Sequence, residues 1–417
     1  RSTEQVIQVL SDLARQWQQA NNPFRQRALE QGPAATGFSE AVLRRGLDAF
    51  FAPITEASLE AWIAQEFGHE NRLDTFVGSE AELRQNRSAT AFGPALLTHV
   101  TAGNIPAGAL MSMVQGLLVR SAQFVKCASG ASFLPRLFAH SLYELEPKLA
   151  ACLEIAEWPG GERPELESVL WEQSETVTAT GRDETLKLIQ SQLPAGVRFL
   201  GYGHKVSFGF IARELLSRSG AERLAVAAVD DLVAWDQLGC LSPHAYYIED
   251  GGSVTAEQFA EMLAAELERR EATEPRGPLP LEQAATIEHR RGFYEIRASQ
   301  TDHTRLWCSP DSTAWTVVQE ADALFQASCL HRFIYVKSAP DLTQVLRQAE
   351  SVRGRVSTVA LGASGARRRE LARELAQWGV TRICPPGRMQ NPPLTWRHDG
   401  RPALSDLVRW VDLENES

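Results

Sequence analysis

Cys240 has the residue type and the setting of a covalent nucleophile. It lies between a predicted helix and a predicted strand, where Gly239 and the pair Ser242-Pro243 indicate an irregular loop. A cysteine thiolate attacks carbonyl carbon, and loops carry chemistry more often than core segments do. A lone cysteine is also commonly a small buried apolar side chain, so the residues alone leave packing open as the alternative.

His244 lies four residues after Cys240 and is a candidate general base. Pro243 interrupts any helix that would align the two side chains, so we expect His244 to begin a strand instead. The cysteines are too sparse for a disulfide framework, and no C-x-x-C pair occurs, which favours a reducing compartment. The others fall within helix or strand patterns and are expected to pack in the interior: Cys127, Cys152, Cys308, Cys329 and Cys384.

Two further segments could bind anions or developing negative charge. Asn104 follows a predicted strand at 96–100, and its amide could donate to an oxyanion or form an Asx turn. Thr180-Gly181 joins a strand to a helix, where backbone N–H groups can seat a phosphate. Asp183 could instead serve there as an ordinary N-cap.

Several well-known signatures are absent from the sequence. There is no Walker-type phosphate loop, no H-E-x-x-H or Cys/His metal spacing, no G-x-S-x-G elbow and no G-x-G-x-x-G opening a helix. We therefore expect no metal site.

Helices and strands alternate from about residue 95 onward, which predicts an α/β fold with a mostly parallel sheet. Residues 3–85 are predicted to be helical, and 271–280 is a charged, proline-containing loop. Predicted helices cover 107–120, 183–192, 256–270 and 365–378. Predicted strands cover 96–100, 123–127, 175–179, 197–200, 206–211, 245–248, 315–318, 332–336, 357–361 and 382–384.

The composition is that of a globular protein. The chain has 417 residues, of which 44% are hydrophobic and 23% charged, with a formal net charge of −10. Such an acidic chain is a poor match for nucleic acid. The first residues, Arg1-Ser2-Thr3-Glu4, show no secretory signal, and the apolar stretch 107–119 is too short to span a bilayer. We expect a cytoplasmic protein with no membrane span.

The segment 236–243, Asp-Gln-Leu-Gly-Cys-Leu-Ser-Pro, resembles the nucleophile loop of the LuxC-type fatty acyl-CoA reductases, which belong to the aldehyde dehydrogenase superfamily. The resemblance covers roughly residues 90 to 413, and its strength lies in the order and spacing of the motifs. The other matching segments are 103–106, 125–129, 180–181, 202–208, 379–383, 386–389, 398–400 and 407–410.

The resemblance implies two Rossmann-like, doubly wound domains with an N-terminal helical segment. It predicts a helical segment at 1–90 packed on the cofactor domain and a nucleotide-cofactor-binding domain at 91–212. It also predicts a catalytic domain carrying the cysteine loop at 213–390 and a C-terminal return segment at 391–417.

The resemblance also implies catalytic roles. Cys240 would accept the acyl group as a thioester, and Asn104 with the Cys240 backbone N–H would form the oxyanion hole. Hydrolytic aldehyde dehydrogenases carry a glutamate that activates water, and alignment on Lys205 places Gly201 at that position. A site without this base should protect its acyl-enzyme from hydrolysis.

The implied cofactor residues follow the same comparison. Lys126 would hold the adenosine ribose, and Thr180-Gly181 with the next helix would face the pyrophosphate. Ser129 stands where NAD-preferring members often have an acidic residue, which favours NADPH and leaves NADH as the alternative. Three further candidates each have more than one possible role. His204 and Lys205 would orient the cofactor or Cys240, although His204 could instead satisfy a turn. Glu320 would contact the nicotinamide ribose, or it is a solvated residue at the end of a strand.

We therefore expect NADPH-dependent reduction of fatty acyl-CoA to fatty aldehyde through an acyl-cysteine and a thiohemiacetal. The substrate would be a fatty acyl-CoA or an acyl-protein, with an acyl-activating partner enzyme and a homo-oligomeric state as further implications. The alternatives are a CoA-acylating aldehyde dehydrogenase working oxidatively, a cysteine acyltransferase or acyl carrier without redox activity, and a non-catalytic subunit.

Overall fold

The computed structural model describes residues 1–414, and these divide into two compact units. The first unit contains Arg1–Thr36, Gly46–His204 and the chain from Pro393 to Glu414. The second unit contains Gly37–Arg45 and Lys205–Pro392. No helix within residues 1–414 is both long enough and apolar enough to cross a membrane.

Helices occupy the N-terminal part of the chain, as predicted. The first begins at a capping box formed by Ser2 and Gln5, and its apolar face buries Leu10 and Trp17. Trp17 donates from Nε1 to Ser141 Oγ at 2.8 Å, which ties the helix to the rest of the first unit. The five helices are α1 (Thr3–Trp17), α2 (Pro23–Thr36), α3 (Glu40–Phe51), α4 (Glu56–Phe67) and α5 (Glu80–Leu83).

A five-stranded parallel sheet forms the centre of the first unit, with the strand order β4-β3-β2-β5-β6. Its strands are β2 (Leu96–Val100), β3 (Ala122–Cys127), β4 (Leu153–Glu157), β5 (Thr176–Thr180) and β6 (Arg198–Tyr202). Its helices are α6 (Pro106–Leu118), α7 (Phe133–Leu145), α8 (Pro147–Ala150), α9 (Pro164–Gln173) and α10 (Asp183–Gln192). Strands β3 and β4 are added on one side of β2, and β5 and β6 are then added on the other side, which is the Rossmann-type order.

A separate two-stranded sheet joins the early and late parts of the first unit. Strand β1 (Arg87–Phe92) pairs antiparallel with β14 (Arg409–Glu414), and Arg87 lies opposite Glu414. The end of the described chain thus returns to the first unit.

The second unit contains a seven-stranded sheet with the order β13-β12-β7-β8-β11-β10-β9, in which only the edge strand β9 is antiparallel. Its strands are β7 (Val206–Ile211), β8 (Pro243–Glu249), β9 (Thr304–Cys308), β10 (Thr316–Glu320), β11 (Phe333–Ala339), β12 (Val356–Gly362) and β13 (Arg382–Cys384). Its helices are α11 (Arg218–Val233), α12 (Ala256–Glu271), α13 (Leu281–Gln300), α14 (Leu342–Gln348) and α15 (Gly365–Trp378).

The expected α/β class with parallel sheets and an N-terminal helical segment is confirmed. One strand lies in a different sheet from the one expected. Residues 206–211 were expected to continue the first sheet, but β7 pairs with β8 and β12 of the second. The chain therefore passes from the first unit to the second between His204 and Lys205, whereas the predicted cofactor domain extends to 212. An apolar run of this length specifies a buried strand without specifying which later strands it will pair with.

Candidate active site

The first unit brings Asn104, Thr180 and Gly181 to one edge of its parallel sheet. Strand β2 has β3 on one side and β5 on the other, and Val100 lies opposite both Lys126 and Ala179. The loops that follow β2 and β5 therefore flank the point at which the strand order reverses. In open α/β sheets, nucleotides bind in the crevice at this point.

Asn104 is exposed in the turn between β2 and α6. The helix begins with Pro106 at its first position, where the ring fixes the backbone angle and the missing N–H costs nothing. Its N-cap, Ile105, makes no side-chain cap. The sequence thus places a polar amide side chain just before a helix N-terminus.

Lys126 lies one residue before the end of β3 and is buried. Its Nζ lies 5.4 Å from the centre of the Trp158 ring, within the range of a cation–π interaction. Burial lowers the pKa of Lys126, and the charge of Glu167 opposes that shift. Ser129, three residues later, is exposed.

The start of α10 does not agree with the prediction that Asp183 is the helix N-cap. The N-cap is Arg182, which makes no side-chain cap, and Asp183 is the first residue of the helix. The Asp183 Oδ1 atom accepts the backbone N–H of His204 at 3.1 Å. Asp183 is therefore not the N-cap, because its carboxylate satisfies the loop after β6 instead. No side chain caps the first-turn amides, but Asp183 and Glu184 place negative charge in that turn, and phosphate binding there stays a prediction.

A cleft of about 440 Å³ opens beside the loop that follows β3. Arg27 and Arg136 line it together with Gly130 and Glu157. The Glu157 carboxylate accepts the Gly130 N–H at 2.8 Å and the Ser132 N–H at 3.2 Å, which fixes the loop. Two exposed arginines then remain on the walls to attract an anionic group.

In the second unit, Cys240 is partly exposed in a loop whose backbone is fixed by side chains. Its carbonyl oxygen accepts from Ser207 Oγ at 2.8 Å, and the Ser242 N–H donates to the Gly239 carbonyl at 2.9 Å. Gln390 Nε2 donates to Ser242 Oγ at 2.6 Å. A Cβ at Gly239 would lie 2.9 Å from Gln390 Oε1, so a larger residue there would shift the Gln390 amide group.

A left-handed turn immediately precedes this loop. Trp235, Asp236 and Gln237 have φ angles of 52°, 49° and 65°. A non-glycine residue in this region costs roughly 1–2 kcal/mol. Gln237 partly offsets that cost, because its Nε2 donates to the carbonyls of Pro243 and Phe333, each at 2.8 Å. Sequence patterns predict no role for these side chains, although Asp236 and Gln237 stand in the loop motif.

His244 lies in β8, as expected, and is buried. Its Nδ1 accepts the Ser328 N–H at 3.0 Å, which assigns the ring proton to Nε2 when the imidazole is neutral. Its ring also packs edge-on against Phe325. Ser328 was not singled out in the sequence, and no local pattern points to it.

Three other cysteines are poor nucleophiles. Burial raises the pKa of Cys127 and Cys329, and it raises the pKa of Cys384 to about 11. A thiol with a raised pKa is less ionised near neutral pH, and the thiolate is the reactive form. Cys240 differs from the buried Cys127 and Cys384 by its partial exposure in a loop. Cys329 is also partly exposed in a loop, and its raised pKa argues against it as the nucleophile.

A family model described as acyl-CoA reductase (LuxC) matches residues 1–410. The chain belongs to this family. A long-chain acyl-protein thioester reductase from Aliivibrio fischeri is 22% identical over 421 residues, which cover 98% of this chain and 82% of the relative. A protein of the same name from Photorhabdus laumondii is 20% identical and covers 99% and 82%.

Solved structures similar to this LuxC-family chain include aldehyde dehydrogenases. A putative aldehyde dehydrogenase PutA from Anabaena variabilis has a TM-score of 0.71 at 16% identity, covering 100% of this chain and 93% of that one. An NAD-dependent benzaldehyde dehydrogenase from Corynebacterium glutamicum has a TM-score of 0.69 at 11% identity, covering 100% and 85%. These likenesses confirm the aldehyde dehydrogenase-like fold.

Proline utilization A also matches 99% of this chain, with a TM-score of 0.71 and 16% identity. The match covers only 43% of that protein, so this chain spans less than half of its length. At this identity, the likeness is one of fold.

Glu320 lies away from the cysteine loop. It ends β10, whereas Cys240 precedes the start of β8, and both strands run parallel to β11. The two residues are therefore at opposite ends of the same sheet. Glu320 is also buried, with its carboxylate 2.9 Å from Lys337 Nζ, so the alternative of a solvated residue fails as well. The distance of Glu320 from the cysteine loop could not be predicted, because sequence patterns do not specify strand register.

The other predicted residues have simpler placements. The side chain of His204 is exposed, and Lys205 Nζ donates to the Gly354 carbonyl at 3.0 Å. The predicted pairing of Asn104 with the Cys240 N–H joins residues that belong to different units and stays a prediction. Within residues 1–414, no group of three or more metal-ligating side chains is found.

Gly201, which the resemblance predicts to stand at the position of the glutamate of hydrolytic aldehyde dehydrogenases, has little space for a side chain. A Cβ there would lie 2.9 Å from Phe199 Cε1. Phe199 stands two residues earlier on the same strand, so the two positions share one face of β6. Any side chain at 201 would have to displace the Phe199 ring.

Proposed function

We propose that this LuxC-family protein reduces a fatty acyl thioester to the fatty aldehyde, with Cys240 as the nucleophile that accepts the acyl group. The observation that carries the proposal is the Cys240 loop, in which a partly exposed thiol lies on a backbone fixed by Ser207. Curated relatives named long-chain acyl-protein thioester reductases support the same chemistry.

The acyl transfer begins with attack by the Cys240 sulfur on the thioester carbonyl. A new sulfur–carbon bond forms, the tetrahedral oxyanion collapses, and the donor thiolate leaves. Because one thioester replaces another, the step is nearly balanced in free energy. The donor would be a CoA or protein thiol.

A nicotinamide dinucleotide, when bound, supplies a hydride to the acyl carbon. Hydride addition would give the thiohemiacetal as its alkoxide, and collapse of this alkoxide would break the carbon–sulfur bond, releasing the aldehyde and the Cys240 thiolate. The residues that would hold the dinucleotide lie around the reversal of strand order: Lys126, Thr180 and Gly181. An open sheet edge, a buried lysine and helix amides without a side-chain cap fit such a ligand.

The preferred nucleotide in this proposal is NADPH. Ser129 carries no charge to repel a ribose phosphate, and the cleft beside its loop presents Arg27 and Arg136. Arginine forms charge-assisted hydrogen bonds to phosphate. Because Glu157 in the same cleft is already bonded to two backbone amides, its charge is partly neutralised.

The acyl group is proposed to leave Cys240 by reduction and not by hydrolysis. The glutamate that activates water in hydrolytic members is replaced by Gly201, and the Phe199 ring occupies the adjoining space. An acyl-enzyme without a positioned general base reacts slowly with water.

A spectrophotometric assay of NADPH oxidation tests the proposal. Acyl-CoAs of increasing chain length are supplied, with Cys240→Ala as the matched variant and NADH as the second nucleotide. We expect oxidation that depends on acyl-CoA and is lost in the variant. Acylation of Cys240 without oxidation of either nucleotide would indicate a transferase or carrier instead.

A further inference from the structure

Two left-handed turns face each other in the second unit. One is formed by residues 235–237, and the other by Leu330, His331 and Arg332, with φ angles of 63°, 57° and 66°. A backbone hydrogen bond closes each turn. The Leu238 N–H donates to the Trp235 carbonyl at 2.9 Å, and the Phe333 N–H donates to the Leu330 carbonyl at 3.1 Å. Runs of three non-glycine residues in this region are rare, because each places Cβ against a carbonyl.

A buried salt bridge joins the two turns. The Asp236 Oδ1 atom accepts from Arg332 Nε at 3.0 Å, and Arg332 Nη2 lies 2.8 Å from the same oxygen. Gln237 adds a second link through its hydrogen bond to the Phe333 carbonyl. The strained turn before Cys240 is therefore held from outside by residues of a distant segment.

Further hydrogen bonds surround this pair, although Arg332 Nη2 has, among the described residues, only its ion-pair contact with Asp236. Asp236 Oδ2 accepts the Gly277 N–H at 3.2 Å, and Arg332 Nη1 donates to the Glu274 carbonyl and to Glu271 Oε2 at 2.8 and 2.9 Å. Arg332 is fully buried, and Asp236 is 2% exposed. Burying such charges is costly, and one reason that proteins retain them is to specify one conformation.

We propose that Asp236 and Arg332 are positioning residues that hold the backbone before Cys240 in its left-handed form and so direct the thiol. Asp236 precedes Cys240 by four residues, and Trp235 to Gln237 is the segment from which the cysteine loop emerges. The proposal rests on the proposed function only in taking Cys240 as the nucleophile. Strain concentrated at one loop and held by a distant ion pair is a pattern typical of functional sites.

The alternative is that the pair merely anchors the loop around Gly277 to the sheet. In that case its loss would lower stability without altering Cys240. A matched control is Glu249→Gln, since Glu249 is another buried carboxylate of the second unit that pairs with Arg213 and Arg367. It stands at the carboxyl end of β8, whereas Cys240 precedes the amino end.

The experiment measures alkylation of individual cysteines by iodoacetamide as a function of pH, read by peptide mass spectrometry. Cys152 and Cys308, which are also partly exposed, serve as internal standards. We expect wild-type Cys240 to have its own pH profile. In Asp236→Asn and in Arg332→Lys this profile moves toward that of the two standards, while Glu249→Gln leaves it unchanged. Arg332→Lys keeps the charge and guards against a variant that fails to fold.

Steady-state kinetics of the same variants provide a second measurement. With acyl-CoA and NADPH, we expect kcat to fall at least about tenfold in both variants with little change in KM, because small displacements of a reacting group are costly. An unchanged Cys240 profile with a lower melting temperature would overturn the proposal, as would a wild-type profile equal to that of the standards. Alkylation requires no reductase activity, so failure of the proposed function would show separately.

Discussion

Glu320 and Lys337 form a salt bridge inside the second unit, with Lys337 Nζ 2.9 Å from Glu320 Oε2 and both side chains at most 1% exposed. The two residues lie opposite each other at the carboxyl ends of β10 and β11. Asp322 accepts from the same ammonium at 3.0 Å, and Arg297 lies 3.3 Å from the second Glu320 oxygen. The geometry indicates a structural role for Glu320.

We predict that Lys337→Met destabilises the protein by about 3–5 kcal/mol, since it leaves the Glu320 carboxylate buried without its closest cation. Urea unfolding measures the effect. Adding Glu320→Leu to this variant should restore part of the loss, because the unpaired charge is then removed. A loss below about 1 kcal/mol, or no recovery in the double variant, would contradict the structural role.

His99 makes stability depend on pH in a known direction. It is buried in β2, with Nδ1 2.6 Å from Thr178 Oγ1 and Nε2 3.1 Å from Gln123 Oε1. Burial lowers the pKa of His99 to about 4 from an ordinary value of 6.5. Between these values the unfolded chain binds a proton that the folded protein does not, so stability falls as the pH falls.

We predict that the stability advantage of wild type over His99→Gln shrinks between pH 7 and pH 4.5, by on the order of 2–3 kcal/mol. The measurement is urea unfolding of both proteins at several pH values. A stability difference that stays constant over this range would show that His99 is not held neutral by burial.

The cleft arginines provide a test of nucleotide preference. We predict that Arg136→Gln raises the KM for NADPH about tenfold, equivalent to about 1.4 kcal/mol, and leaves the KM for NADH unchanged. Arg27→Gln should act in the same direction. The matched control is Arg163→Gln, an exposed arginine of the first unit that does not line the cleft. Equal effects on both nucleotides would argue against recognition of the ribose phosphate.

Elements with strong local signals were predictable from the sequence. The bounds of α10 and α15 agree with the predicted helices at 183–192 and 365–378, and β2 agrees with 96–100. Helix α13 was missed, because its buried residues include Arg291 beside Ile287 and Tyr294, which weakens the apolar pattern. Arg291 is accommodated by hydrogen bonds to the Trp315 and Ser312 carbonyls, which no local pattern shows.

The parts of the site that depend on distant partners were not predictable. Asp236 stands in the quoted loop motif, but its partner Arg332 is 96 residues away. The position of Glu320 depends on strand register, and the sheet to which β7 belongs depends on pairing with later strands. Local propensity specifies that a strand forms, and long-range pairing specifies where it lies.

The most direct test of the account is to observe the acyl-enzyme. Wild type and Cys240→Ala are each mixed with a long-chain acyl-CoA without nucleotide, and their masses and peptides are then analysed. We predict one acyl group on Cys240 in wild type and none in the variant, with NADPH discharging the adduct as fatty aldehyde. No adduct, an adduct on another cysteine, or an adduct that neither NADPH nor NADH discharges would contradict the account.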